Sequence, residues 1–333
     1  MNILRIAESF RIEGRPISAV PVSSGHINDT CFVTTTESRY ILQRMNRRVL
    51  PNPPLVMENI AAVTSHLRAK GLEAMTIIPT LDGGLCMERG GEFYRMYLFI
   101  ENAESRLAPL SAEDFKSAGE AFGGFIAALG DMPISSVNTM PWASHDTLFH
   151  LNQLKKAISE DIAGRAGGVR AEIELAMAKS GYADVIRSRL ISGELPLRVV
   201  HNDTKYSNIM IDTETHKARC ILDLDNVMPG SLLYDYGDSI RSGCDRDGVF
   251  VPELMDAYRE GFVGAVPDIT ELELELLPMA PAVITYENAI RYLTDYLNGD
   301  VYFKTSHELH NLELFRRRME LLKSMEDFGL GGL

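Results

Sequence analysis

The chain has 333 residues, of which 45% are hydrophobic and 24% are charged, and its formal net charge is −13. A chain of this length is long for one domain and suits two lobes, each with a sizeable core. The acidic balance argues against nucleic acid and against an anionic membrane as partners, because both require a basic face.

Cysteine usage and the amino terminus indicate the compartment. Cys31, Cys86, Cys220 and Cys244 lie far apart, so neither a disulfide framework nor a zinc site is expected. Residues 1–20 carry too many charges for a signal-peptide core, and the chain has no apolar run of about 18 residues. We therefore expect a cytoplasmic protein.

Strand patterns dominate the first third of the chain. After a short amphipathic helix over residues 2–12, strands are predicted over residues 19–22, 30–35 and 39–44. A helix and three strands follow, over residues 55–70, 75–79, 85–88 and 93–100. The turn Asp82-Gly83-Gly84 is expected to join two of these strands as a hairpin.

Helical periodicity prevails in the rest of the chain, over residues 111–129, 145–160, 169–190 and 252–327. Ser111 is the expected cap of the first helix, and Pro278 and Pro281 divide or kink the last one. We place the lobe boundary after residue 104. The order predicts an α+β fold, with a small antiparallel-sheet lobe over residues 1–104 and a larger, mostly helical lobe over residues 105–333.

The most informative stretch is a β-hairpin in the helical half. A short apolar run enters a polar loop with His201, Asp203, Lys205 and Asn208, and a later strand ends at Asp223. The spacing His-x-Asp-x4-Asn equals that of a kinase catalytic loop, in which the Asp takes the hydroxyl proton and the Asn holds metal. Magnesium prefers such oxygen ligands. The alternative is a polar hairpin whose Asp and Asn side chains only cap turns.

H-N-D-T-K-Y-S-N-I-M at residues 201–210 and I-L-D-L-D at residues 221–225 resemble the aminoglycoside phosphotransferase and choline kinase group. That group shares the protein-kinase-like two-lobe fold. The continuation N-V-M-P-G-S-L-L-Y-D-Y-G-D-S-I-R is similar to the bacterial N-acetylhexosamine 1-kinases, which phosphorylate the anomeric hydroxyl of GlcNAc or GalNAc. The resemblance implies ATP and Mg²⁺ as cofactors and a small-molecule sugar as partner. We expect a monomer or a weak homodimer.

The resemblance also implies roles for the residues of the hairpin. Asp203 accepts or orients the hydroxyl proton, and Lys205 neutralises the charge that develops on the γ-phosphoryl group. Asn208 and Asp223 hold magnesium. Asp235, in the similar segment that follows, braces the catalytic loop through backbone hydrogen bonds.

The expected nucleotide side departs from the wider kinase pattern. Kinases carry a lysine on the third strand, whereas this chain reads L-Q-R with Gln43 and Arg44, as the N-acetylhexosamine kinases do. Only one of these two side chains can face the nucleotide, because side chains alternate across a strand. Phe99 and Glu101 mark the polar crossing at which kinases bind adenine through backbone groups.

The expected sugar side comes mainly from the same resemblance. His26 lies in a matching G-H-I-N-D-T stretch, and Arg291 and Tyr302 lie in a matching helix and loop. For each of them the alternative is an ordinary structural role, as a loop residue or in helix packing.

Two further residues are assigned to the substrate side. Asp225 follows Asp223 by two positions, which places both on one face of the predicted strand, so Asp225 is expected to join the metal or the sugar. Arg241 is three residues after Asp238, a spacing that equally describes a surface ion pair on a helix.

Two other functions remain open on the sequence. One keeps the fold and changes the acceptor to choline, homoserine, an aminoglycoside or another small alcohol. The other is a degenerate kinase that binds nucleotide or sugar without turnover. The absence of the third-strand lysine favours it, whereas the retention of Asp203, Lys205, Asn208 and Asp223 argues against it.

Overall fold

A computed structural model describes residues 3–22, 28–140 and 145–332. The chain folds into two compact units. The first unit comprises Met1–Ser105, Ala128–Ala143 and Ile209–Pro229, and the second comprises Arg106–Ala127, Ser144–Asn208 and Gly230–Leu333. Each unit is thus assembled from separate stretches of the chain. The assignment of a nucleotide lobe and a catalytic lobe, divided after residue 104, stays a prediction.

The strands in chain order are β1 Pro16–Val22, β2 Asp29–Thr35, β3 Arg39–Met45, β4 Met87–Arg89, β5 Glu92–Leu98, β6 Ala103–Glu104, β7 Arg198–Val200, β8 Ile209–Asp212, β9 Ala218–Ile221, β10 Met228–Gly230, β11 Asp245–Arg246 and β12 Val249–Phe250. The helices are α1 Ile3–Ala7, α2 Pro53–Ala69, α3 Ala112–Ala128, α4 Thr147–Glu160, α5 Arg170–Ala178, α6 Arg187–Ser192, α7 Leu232–Gly243, α8 Pro252–Ala265, α9 Glu271–Leu276, α10 Ala280–Leu297 and α11 His310–Phe328. The predicted α+β class, an antiparallel sheet followed by a helical region, is confirmed.

The first unit is built on a five-stranded antiparallel sheet with the order β1-β2-β3-β5-β4. Its core includes Ile6, Phe10, Val33, Leu42 and Met96. In the register of β3 and β5, Gln43 lies opposite Arg95. A second, three-stranded sheet in this unit has the order β6-β8-β9 and contains the predicted hairpin.

The strand predicted over residues 75–79 is wrong. This segment forms no strand: it meets β5 through an isolated bridge from Ile77 to Tyr97 and two flanking backbone hydrogen bonds, and the hairpin partner of β5 is β4. The turn at Asp82-Gly83-Gly84 closes locally instead, where the Thr80 N–H donates to the Gly84 carbonyl at 2.9 Å. A strong local turn signal therefore marked a loop, because strand pairing depends on residues farther along the chain.

The second unit is helical. The segment predicted as helical over residues 252–327 forms four helices. The predicted division falls between α9 and α10, with Pro278 in the break and Pro281 in the first turn of α10. The segment predicted over residues 169–190 is divided between α5 and α6 by a 3₁₀ turn, Ser180–Asp184. Among the helices of the described ranges, none combines the length and hydrophobicity that a bilayer crossing requires.

Helices α3 and α8 pack unusually close together, and this contact positions residues under the catalytic loop. A Cβ atom added at Gly119 would lie 2.3 Å from the Tyr258 carbonyl, and one at Gly261 would lie 2.2 Å from the Lys116 carbonyl. Only glycine allows the two backbones to approach in this way. One turn along α3, the ring of Phe122 meets the buried His201 ring edge-on, with centroids 5.6 Å apart.

Candidate active site

The catalytic loop, residues 201–208, is held by a buried carboxylate of α7. The backbone N–H groups of His201 and Asn202 donate to the two oxygens of Asp235, at 2.8 and 2.7 Å. Ser239, also on α7, donates from its hydroxyl to the Thr204 carbonyl at 2.8 Å. Burial raises the pKa of Asp235 to about 6. The predicted bracing by Asp235 is confirmed in the structure.

The loop backbone explains why His201 stands in the motif. The His201 ring is fully buried, and its Nδ1 accepts the backbone N–H of Asp203 at 3.1 Å. Asn202 adopts a left-handed conformation with φ of 61°, which Asn tolerates better than most residues. His201 therefore shapes the loop from beneath, and Asp203 is the residue that projects from it.

Three of the predicted residues come together around the Asp203 carboxylate. Lys205 Nζ lies 2.6 Å from Oδ1, and the Asn208 amide donates to Oδ2 at 3.1 Å and to the Asp203 carbonyl at 2.8 Å. The Asp203 carboxylate raises the pKa of Lys205, so the ammonium stays charged. Because the Asn208 nitrogen faces Asp203, its amide oxygen is the atom left to act as a metal ligand.

Asp238 and Arg241 form a buried ion pair on α7, so the description of a surface pair is wrong. Arg241 Nε and Nη2 donate to Asp238 Oδ1 at 3.0 and 2.6 Å. The other oxygen, Oδ2, is buried and has no hydrogen-bond partner within the described part of the chain. Burial opposes ionisation, yet Arg241 and Lys205 hold the pKa of Asp238 below its usual value.

A further pair beside the catalytic loop was missed by sequence reasoning. His145 Nδ1 lies 2.8 Å from Glu287 Oε1 on α10, and His145 Nε2 lies 3.1 Å from the Asn202 carbonyl. Thr147 donates to the second oxygen of Glu287 at 2.7 Å. Because both ring nitrogens face acceptors, we assign the doubly protonated imidazolium.

The titration of this pair follows from its surroundings. Burial alone would lower the pKa of His145, but Glu287 outweighs burial and the pKa is raised. Burial alone would raise the pKa of Glu287, but His145 outweighs it and the pKa falls to about 2. The sequence indicated this pair only through Glu287, which ends the apolar run A-P-A-V-I-T-Y-E of α10. A glutamate buried among apolar residues requires a partner.

The predicted sugar residues Arg291 and Tyr302 lie together at one end of α10. The guanidinium of Arg291 is 5.9 Å from the centroid of the Tyr302 ring. Tyr302 itself is about half exposed. The loop is organised by the buried Asp295, whose carboxylate accepts the N–H groups of Val301, Tyr302 and Phe303 at 2.8–2.9 Å. The aromatic ring is therefore presented by a loop with a fixed backbone.

In the first unit, β9 ends at Ile221, and Asp223 lies in a separate turn that we call the Asp223 turn, residues 223–227. Asp223 has a left-handed backbone, with φ of 56° and ψ of 51°. The expectation that Asp223 and Asp225 share a strand face is therefore wrong, since strand alternation stops before both of them.

Asp225 forms a buried ion pair with Arg95 of β5. The two guanidinium nitrogens Nη1 and Nη2 contact the two carboxylate oxygens, with Nη2 at 2.9 Å, and the side chains are 2% and 5% exposed. Asn28 also donates to Asp225 Oδ2, at 3.0 Å. Arg95 Nε donates to Gln43 Oε1 at 2.9 Å. Asp225 thus has both oxygens engaged within the first unit.

The other predicted nucleotide residues lie apart from this network. Arg44 faces away from Gln43 and pairs with Asp29 and Glu92 on the exposed side of the sheet. Phe99 and Glu101 follow β5, where the Arg39 guanidinium lies 4.7 Å from the Phe99 ring and pairs with Glu101.

His26, expected on the sugar side, lies outside the described residues. The donor chemistry of the remaining candidates can be tested against magnesium. Within residues 3–22, 28–140 and 145–332, no group of three or more His, Cys, Asp or Glu side chains could hold a metal ion. Magnesium bound with a nucleotide typically needs only one or two protein oxygens and takes the others from phosphates and water. The amide oxygen of Asn208 and the carboxylate of Asp223 fit that requirement chemically.

Comparisons with known proteins agree on one family. The profile of the phosphotransferase enzyme family matches residues 18–272. A homoserine kinase of Methylobacterium radiotolerans is 23% identical over 292 residues, which are 86% of this chain and 83% of that protein.

Solved structures show the same fold. A spectinomycin phosphotransferase, crystallised with ADP and spectinomycin, has a TM-score of 0.63 at 13% identity and covers 97% of each chain. A choline kinase from Streptococcus pneumoniae has a TM-score of 0.58 at 11% identity and covers 93% of this chain and 94% of its own. The expected resemblance to aminoglycoside phosphotransferases and choline kinases is thereby confirmed. The chain belongs to the phosphotransferase enzyme family and is a small-molecule phosphotransferase with the protein-kinase-like fold.

Proposed function

We propose that this protein is an ATP- and Mg²⁺-dependent kinase that phosphorylates the anomeric hydroxyl of an N-acetylhexosamine such as GlcNAc or GalNAc. The observation that carries the phosphoryl transfer is the catalytic loop, in which Asp203 stands between Lys205 and Asn208 on a backbone fixed by Asp235. The choice of a sugar acceptor rests on the sequence resemblance to the N-acetylhexosamine kinases. Spectinomycin phosphotransferase, which has this fold, was crystallised with ADP.

In this reaction, Asp203 accepts or orients the proton of the attacking hydroxyl. Lys205, 2.6 Å from Asp203, supplies positive charge as the γ-phosphoryl group is transferred. An anomeric hydroxyl is more acidic than an ordinary alcohol, so orientation contributes more than basicity. The buried contacts of the loop backbone serve that orientation, because a small displacement of the reacting group costs a large factor in rate.

Magnesium would be held by the amide oxygen of Asn208 and by Asp223. When bound, the metal neutralises phosphate charge on the nucleotide. The protein's net charge of −13 makes this neutralisation important. The adenine would bind to backbone groups of the segment from Phe99 to Glu101. Gln43 is the phosphate-side candidate of the two, because it lies on the face of the sheet that carries Arg95 and Asp225, whereas Arg44 points to the opposite face.

The acceptor would bind at Arg291 and Tyr302. Sugars are bound by planar groups with several donors and by aromatic side chains with a polar tip. Arg291 and Tyr302 provide such a pair on a loop that Asp295 fixes. Arg241, buried against Asp238, would contribute a second guanidinium, because Asp238 raises the pKa of Arg241 even though burial opposes its charge.

A second candidate function keeps the chemistry and replaces the sugar with homoserine or a similar small amino alcohol. The relative from Methylobacterium radiotolerans favours it. The half-buried guanidinium of Arg291 in the acceptor region favours a neutral or anionic acceptor over choline.

A panel of acceptors with a readout of ADP release separates these functions. We expect turnover with GlcNAc or GalNAc and little with homoserine, choline, aminopropanol or spectinomycin. Phosphorus NMR of the product should then show a sugar 1-phosphate. Preferred turnover of homoserine would replace the proposal by the second candidate, and phosphate on another carbon of the sugar would refute the anomeric assignment.

A further inference from the structure

The Asp223 turn has a backbone that requires external support. Asp223 is left-handed, which costs free energy for any residue with a Cβ and persists only where neighbours hold it. A 3₁₀ turn, Leu224–Asn226, follows Asp223 and contains Asp225, two residues beyond Asp223. Contacts made by Asp225 and by its neighbours therefore help to fix the backbone on which Asp223 is presented.

Three side chains from elsewhere in the first unit hold this turn. Arg95 and Asn28 engage the Asp225 carboxylate. Asn59, buried on α2, donates to the Val227 carbonyl at 2.9 Å and to the Asn138 carbonyl at 2.8 Å. The turn is thus fixed on its carboxyl-terminal side by a β-strand and a helix at once.

Arg95 lies on β5 beside the position that the lysine of kinases occupies on the third strand. The third strand has Gln43 in place of the kinase lysine, and Gln43 lies opposite Arg95 in the register of β3 and β5. Gln43 accepts from Arg95 Nε and donates to Thr30 at 3.1 Å, which orients the guanidinium toward Asp225. The guanidinium is therefore held in place from β3 while it contacts Asp225.

Stability alone does not explain the buried ion pair of Arg95 and Asp225. Buried ion pairs often contribute no more to stability than well-packed apolar side chains of similar size. Arg95 contacts the Asp225 carboxylate with both terminal guanidinium nitrogens, and this buried contact links Arg95 to the Asp223 turn.

We propose that Arg95 is a positioning residue for the Asp223 turn. By gripping Asp225 it sets the Asp223 turn in the conformation that binds the metal of the nucleotide complex. The inference rests on the proposed function only in that the chain must bind a metal–nucleotide complex, and it does not depend on the acceptor.

The test compares metal affinity in a variant that removes both charges. Arg95→Met/Asp225→Asn leaves no lone buried charge, and the new amide oxygen can still accept from Asn28. Mn²⁺ is titrated by electron paramagnetic resonance with saturating ADP, and ADP binding without metal is measured by calorimetry. We expect Mn²⁺ affinity to fall by about tenfold or more, as for other changes behind a metal ligand, while metal-free ADP affinity stays the same.

Two further variants keep the test decisive. Lys179→Met/Glu326→Gln removes another ion pair, in the second unit, whose atoms lie 2.6 Å apart, and should leave Mn²⁺ affinity unchanged. Arg95→Lys retains the charge and loses the two-pronged contact, so it should give a smaller loss. If the double variant does not fold, as judged by circular dichroism, Arg95→Lys carries the test.

The outcomes separate the two proposals. Wild-type Mn²⁺ affinity in a folded double variant, or in Arg95→Lys when only that variant folds, would overturn the positioning role and leave the proposed function intact. Failure of the wild-type protein to bind Mn²⁺ with ADP would refute the proposed function, and the inference with it.

Discussion

The catalytic loop and the Asp223 turn are each fixed by contacts with a buried carboxylate, but the two carboxylates come from different places. Each contains a left-handed residue, Asn202 with φ of 61° and Asp223 with φ of 56°. In the catalytic loop, a carboxylate from outside, Asp235, binds backbone N–H groups. In the Asp223 turn, the carboxylate belongs to the turn itself, and side chains from elsewhere bind it.

The difference has a consequence for how the two regions tolerate change. A support that binds backbone groups is indifferent to the side chains of the loop, so those side chains remain available for chemistry. A support through Asp225 and Arg95 requires both residue types, because one charge without the other would be buried unpaired. The first region should therefore be sensitive at Asp235, and the second at two positions together.

The largest effect on kcat should come from substitution of Asp203, the residue that projects from the catalytic loop. In Asp203→Ala, kcat should fall by at least about 100-fold, because a general base is lost. The backbone N–H of residue 203 can still donate to His201, so the fold should survive. Turnover is measured at saturating ATP and acceptor, with thermal unfolding as the control. Near-wild-type turnover would end the assignment of Asp203.

The support of the loop is tested by Asp235→Ala. Two backbone N–H groups would lose their buried acceptor, so the free energy of unfolding should fall by about 3 kcal/mol. Urea denaturation measures this change, and kcat should fall as well because the loop is released. A loss below about 1 kcal/mol, within the range of an ordinary hydrogen bond, would show that the loop holds its conformation without Asp235.

His145→Gln tests the second support of the loop and should be pH dependent. The raised pKa of His145 means that its contribution is complete below about pH 6.5 and is lost as pH rises through the folded-state pKa. Glu287, with its pKa lowered to about 2, contributes above about pH 4.5. The free energy of unfolding should therefore fall by about 3 kcal/mol near pH 5.5, and by less at pH 8.5. A pH-independent difference would contradict the imidazolium assignment.

The smallest effect is expected at an exposed ion pair of the same sheet that holds Arg95. Arg39 and Glu101 have side chains that are 44% and 49% exposed. Arg39→Met should change the free energy of unfolding by less than about 1 kcal/mol, because solvent screens the pair. Comparison with Arg95→Met alone, measured by the same denaturation, isolates burial as the variable. Equal losses in both variants would contradict that interpretation.

The success of sequence reasoning follows the distance along the chain over which an interaction acts. The predicted cluster of Asp203, Lys205 and Asn208 is found because these residues lie within one loop, whose spacing fixes their proximity. The hairpin predicted between residues 75–79 and 85–88 is wrong, because β4 pairs with β5, which comes later in the chain, and local turn signals do not reveal that partner.

By itself, the sequence determined the family, the α+β class and the catalytic loop, because these depend on contiguous motifs and on local periodicity. Only the tertiary structure decided that Arg95 meets Asp225 across 130 residues and that His145 meets Glu287 across 142. The physical reason is that a buried charge needs a partner of opposite charge, and the neighbouring residues in the sequence do not identify that partner. Packing selects the partner, because it brings side chains that are distant in the sequence together in an interior from which water is excluded.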